Sequence, residues 1–102
     1  MTMQSKIDIA EQHGTRQREQ DARAEKQAQC DEDLRFVMST ETGRRFMWDL
    51  LGRTGLYQTS FTGNSETFFK EGRRAVGLEQ LAHITTACPM EYMAMMKEQY
   101  DG

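Results

Sequence analysis

Two pairs of adjacent arginines, Arg44-Arg45 and Arg73-Arg74, are the residues of this chain best suited to do chemistry. Each pair follows a glycine and lies within one helical turn of a glutamate, in Glu41–Phe46 and in Glu71–Gly77. A guanidinium is a planar fork of N–H donors that fits a carboxylate or a phosphate. One reading keeps the arginines inside the fold. Glu41 then pairs with Arg45 and Glu71 with Arg74 along a helix, or Glu41 with Arg73 and Glu71 with Arg44 between helices. The other reading turns Arg44, Arg45, Arg73 and Arg74 toward a partner's carboxylates or phosphates. Pairing inside the fold is the leading expectation. Glycine within a helix costs roughly 1 kcal/mol relative to alanine, so Gly43, Gly72 and Gly77 are expected to permit close approach of a helix or an aromatic ring.

A catalytic or metal centre is not expected. His13 and His83 are far apart in the sequence, and Cys30 and Cys88 form no Cys-x-x-Cys, so zinc spacing is missing. No cofactor motif is present. His83 has Glu79 four residues before it, the spacing of a helix-surface pair, and no serine or cysteine is placed to work with it. Cys88, next to Pro89, reads as a helix-capping or buried thiol. Both cysteines are expected to be free, as in a reducing compartment.

The elements that hold these residues read as helices. The chain has 102 residues, 37% hydrophobic and 28% charged, enough for one small domain. Residues 1–30 are polar: Met3, Ile7 and Ala10 make a short apolar face, and from Glu11 to Gln29 the only apolar residues are three alanines. This arm is expected to be a solvated helix or a disordered segment. From residue 31 apolar spacing sets in. Asp31, Glu32 and Asp33 suit a helix first turn, followed by Leu34, Val37 and Met38. Thr40 is the expected N-cap of the next helix. That helix carries Phe46, Met47, Leu50 and Leu51, with Trp48 off the stripe, and Gly52 or Gly55 ends it. A loop anchored by Leu56, Tyr57 and Phe61 leads to Asn64 or Ser65, which cap a third helix holding Phe68, Phe69, Val76, Leu78, Leu81 and Ile84. Pro89 starts the last helix, with Tyr92, Met93, Met96 and Tyr100 in register. The expected fold is all-α: a bundle of three or four helices over residues 31–102, preceded by the polar arm of residues 1–30.

Eight methionines are many for this length. Met90, Met93, Met95 and Met96 fall on more than one face of the last helix, so some are exposed unless another chain covers them. They join the four arginines as candidate partner-binding residues and point to an oligomer. The net charge is −3, which argues against tight nucleic-acid binding. No run reaches the roughly 20 apolar residues of a membrane span, and no signal-peptide core opens the chain.

Asp33-Leu34-Arg35, Gly43–Phe46 with Trp48, Glu71–Gly77, and Cys88-Pro89 with Tyr92 occur in that order. This set resembles a family of small proteins of short-tailed phages. The resemblance covers about seventy residues and omits the arm. It implies phage origin, synthesis in the host cytoplasm, and a virion or assembly role beside portal, internal or tail components. It supplies no reaction. The leading expectation is a non-enzymatic virion or assembly protein. The alternatives are an early binder that inhibits a host protein, and a nucleic-acid binder using the paired arginines.

Overall fold

The computed structural model describes residues 3–58 and 63–101 and contains, among them, four helices and no strand. They are α1 (Met3–Met38), α2 (Glu41–Arg53), α3 (Glu66–Ala87) and α4 (Pro89–Asp101). The chain divides into two units, Met1–Glu32 and Asp33–Gly102.

In the first unit the helix is held by its own side chains. Among the described residues of this unit, 3–32, none is buried. Gln4, Gln17 and Gln27 each donate a side-chain hydrogen bond of 3.0–3.1 Å to the aspartate four residues on, Asp8, Asp21 and Asp31. Glu19 and Arg23 form an exposed i,i+4 pair at 4.0 Å. Such local pairs contribute a few tenths of a kcal/mol each. The expected helix start at Asp31 is not where the helix begins. α1 runs through Asp31–Asp33 because residues 15–42 contain no glycine or proline to break it.

The second unit is an α-helical bundle. Leu34, Met38, Met47, Leu51, Leu56, Ile84, Cys88 and Met95 form its core, with Trp48, Leu81, Ala87 and Tyr92 packed against them. α2 packs on α3 and α4, and α3 on α4. Thr40 caps α2 as expected, its hydroxyl accepting from the Gly43 N–H at 3.0 Å. Thr54 closes that helix and Gly55 follows with φ +73°, a left-handed geometry that glycine adopts without strain. Asn64 rather than Ser65 caps α3 with its side chain, accepting from Glu66 N–H at 2.9 Å. Pro89 opens α4, and the break at Cys88 separates it from α3. Phe61, expected to anchor the 56–63 loop, lies outside the described residues.

Several expected core positions are on the surface. In α2, Met47 and Leu51 are buried while Phe46 and Leu50 face water. In α3, Phe68, Phe69 and Val76 are exposed, and Gly77 and Ile84 make the inward face. In α4, Met95, expected on a contact surface, is fully enclosed, and Met93 and Tyr100 are exposed. The reason is geometric: α2 and α3 have apolar residues over more than one face, and only one face of each can meet so small a core.

Candidate functional site

The corner between α1 and α2 is the most elaborated place in the second unit. Only Ser39 and Thr40 join the two helices. The Ser39 backbone N–H and hydroxyl both donate to the Phe36 carbonyl, at 3.2 and 2.6 Å, and bend the chain there. The bend drives the start of α2 against the end of α1. A Cβ on Gly43 would lie 2.8 Å from the Val37 carbonyl carbon and closer still to its oxygen, so no larger residue fits. Glycine is required here by contact with backbone, not with an aromatic ring.

Arg44 follows and reaches back over this corner. Its Nε donates to Glu98 Oε1 and Oε2 at 2.9 and 3.1 Å, and its Nη2 to Oε1 at 2.6 Å. Its Nη1 donates to the Met38 carbonyl at 3.0 Å. One half-buried side chain therefore caps the C-terminal end of α1 and binds α4 to α2. The last carbonyls of a helix have no partner within it and carry partial negative charge, so a guanidinium satisfies both needs. Arg35 does the same for α3: its Nε donates to the Ala87 carbonyl at 3.0 Å, at a helix end with no basic residue of its own.

Glu98 is the functional partner that sequence reading missed. The expected pairs were Glu41–Arg45, Glu71–Arg74, Glu41–Arg73 and Glu71–Arg44. None of these pairs forms a salt bridge among the described residues; Arg44 pairs instead with Glu98. Glu98 lies 54 residues from Arg44, beyond any local pairing rule. No local spacing marks it; only the packing of α4 on α2 brings it to Arg44.

The pair sets a pH response. Hydrogen bonds from Arg44 hold the Glu98 carboxyl below the ordinary glutamate range, against the opposing effect of desolvation. A carboxylate whose folded pKa is depressed adds stability above its unfolded pKa and loses it as pH falls through the folded one. Glu98→Gln is expected to flatten the acid limb of the stability profile below the glutamate range. Thermal melts of wild type and variant from pH 7 to pH 3 check this, and parallel acid limbs would reject it.

The other candidates are dispersed. Arg45 is exposed, and Arg74 is half-buried. Arg73 is exposed and lies over the Phe69 ring, 5.5 Å from its centroid. Met90 and Met93 are exposed, Met96 is half-buried, and Met95 belongs to the core. The two other motif glycines differ. Gly77 is pressed against Thr54, whose Cβ would stand 2.9 Å from an added Cβ, whereas Gly72 borders open space. Close approach within the chain therefore explains Gly43 and Gly77 but not Gly72. Trp48 stacks at a tilt on Tyr57, ring centroids 5.5 Å apart.

Both cysteines are free. Cys30 is exposed, while Cys88 is buried and its thiol pKa is raised, first by desolvation and then by Glu91. Its neighbourhood to Pro89 gives no reactive thiolate. One thiol, Cys30, is expected to react rapidly with a disulfide reagent in the native protein, and Cys88 only after denaturation. A time course of thiol release with and without urea, using Cys30→Ser to assign the phases, checks this. No three His, Cys, Asp or Glu side chains among the described residues are grouped to hold a metal ion.

Fold and corner together define a small all-α domain whose helix ends are locked by arginines from other helices. A protein-family comparison gives its context. The family model for Bbp19-like phage protein matches residues 34–97, and the chain belongs to that family. No curated protein and no solved structure matches. No helix among the described residues is long and apolar enough to cross a membrane.

Proposed function

We propose that this phage protein is a non-enzymatic virion or assembly component, acting by packing against portal, internal or tail proteins of a short-tailed particle. One observation carries the reading. The second unit buries eight hydrophobic residues, yet leaves Phe36, Phe46, Phe68, Phe69, Met90 and Met93 in water. Phe68 and Phe69 are neighbours on α3, and apolar side chains grouped on a surface mark interaction sites. Aromatic residues and methionines are also the types enriched at interfaces.

The arginines support packing more than nucleic-acid recognition. Arg44 and Arg35 are engaged on helix ends, which leaves less guanidinium for phosphate. Mass spectrometry of purified particles tests the proposal. Detection of the chain at a fixed copy number, or failure of particle assembly after deletion of its gene, supports it. Absence from particles that assemble normally without the gene overturns it. In that event, a stable complex with a host protein early in infection is the reading to take its place.

A further inference from the structure

α3 has two unequal halves. Gly77 is its first buried residue. There the helix passes the end of α2 so closely that a Cβ on Gly77 would run into the Thr54 side chain and lie 3.4 Å from the Leu56 Cβ. From that point on, Leu81, Ile84 and Ala87 tie α3 to the core. Before it, none of residues 66–76 is buried, and only Thr67, Lys70 and Arg74 are half-buried. About three turns of helix therefore run on past the last anchor.

The sequence of those turns holds them weakly. Thr67, Phe68, Phe69 and Val76 rank low as helix formers because a helix restricts their χ1 angles, and Gly72 ranks lower still. A Cβ on Gly72 would meet nothing within 4 Å, so no close contact offsets the cost of glycine there. The Asn64 cap on the Glu66 N–H and the contact of Arg73 with the Phe69 ring are both local, and both are lost if the turns unwind. The polar part of α1 is the contrast. It is unburied too, but apart from Asp21 its residues 16–29 are all Gln, Glu, Arg, Lys or Ala, which are strong helix formers. An unburied helix shorter than about 12 residues is marginal in water, and only propensity can hold it.

We propose that Glu66–Val76 is a separately opening segment. It unwinds from its N-terminal end through Gly72, as far as the anchor at Gly77, while the core stays closed. The domain then has two states that share one core, and a ligand that prefers either state shifts the balance by its difference in affinity. The inference goes beyond the packing role and does not depend on it.

Amide hydrogen exchange of the full chain, followed residue by residue by NMR, tests it. The amides of Lys70–Val76 are expected to be at least about tenfold less protected than those of Leu81–Cys88. Gly72→Ala is expected to slow exchange at Arg73–Val76 about fivefold, the equivalent of the roughly 1 kcal/mol between the two residues in a helix. Gly72→Pro breaks the segment. Where a helix must stay intact, interior proline lowers the folding constant by more than about a hundredfold. If the segment opens separately, Gly72→Pro leaves the protection of Leu81–Cys88 within about tenfold of wild type, because the anchored half never needed the first. A wild-type protection ratio below about tenfold overturns the proposal. So does an unchanged rate at Arg73–Val76 in Gly72→Ala, or a Gly72→Pro chain that fails to fold or loses more than about tenfold protection at Leu81–Cys88.

Discussion

Gly43→Ala is expected to destabilise the helical domain by roughly 2–3 kcal/mol, the cost of forcing atoms into a packed site. The added methyl would run into the backbone carbonyl of Val37, which cannot swing aside as a side-chain tip can. Relief requires the α1–α2 corner to open. Opening it would pull Arg44 from the Met38 carbonyl and strain its bonds to Glu98. Gly52 is the control. It lies in α2 with nothing within 4 Å of an added Cβ, so Gly52→Ala is expected to stabilise, by up to about 0.5–1 kcal/mol. Urea unfolding followed by circular dichroism measures both. Equal effects of the two substitutions would show that the corner is not tightly packed.

Leu51→Ala and Met95→Ala are expected to cost more, about 2–5 kcal/mol each. Both side chains are fully buried in a core of eight residues, and each removal leaves a cavity at the junction of α2, α3 and α4. A domain of this size has roughly 4–10 kcal/mol in total, so either variant approaches unfolding at growth temperature. Phe46→Ala removes a larger side chain from the same helix as Leu51, yet Phe46 is mostly exposed. Its effect on the isolated chain is expected within about 0.5 kcal/mol. The contrast is read from the same denaturation curves. A large loss at Phe46 in a demonstrated monomer would contradict the burial pattern.

Local rules were legible in the sequence and the structure follows them. The Thr40 cap, the end of α2 before Gly55, the start of α4 at Pro89 and the all-α class each depend on residues within a turn or two of one another. The acidic residues at 31–33 point to a helix start, yet they suit a helix interior as readily where no breaker directly precedes them, and α1 begins at Met3. Faces were harder. Phe46, Met47, Leu50 and Leu51 all satisfy helical spacing, and spacing alone does not tell which half of a broad apolar arc meets the core. Spacing is equally ambiguous for the methionines of α4, among which only Met95 is fully buried.

What the sequence by itself determined is the all-α class, the Thr40 cap, the end of α2 and the start of α4, and the phage-family motifs, because capping and proline geometry act within a few residues. Only the tertiary structure decided what the motif residues do. Arg44 finds Glu98 across 54 residues and Arg35 finds Ala87 across 52. Gly43 is fixed by a carbonyl from the preceding helix and Gly77 by Thr54 of the α2 cap, while Gly72 is left facing water. Those assignments depend on how helices cross. Crossing is set by which apolar faces a small core can enclose together, a property of the whole packed unit that no local spacing encodes.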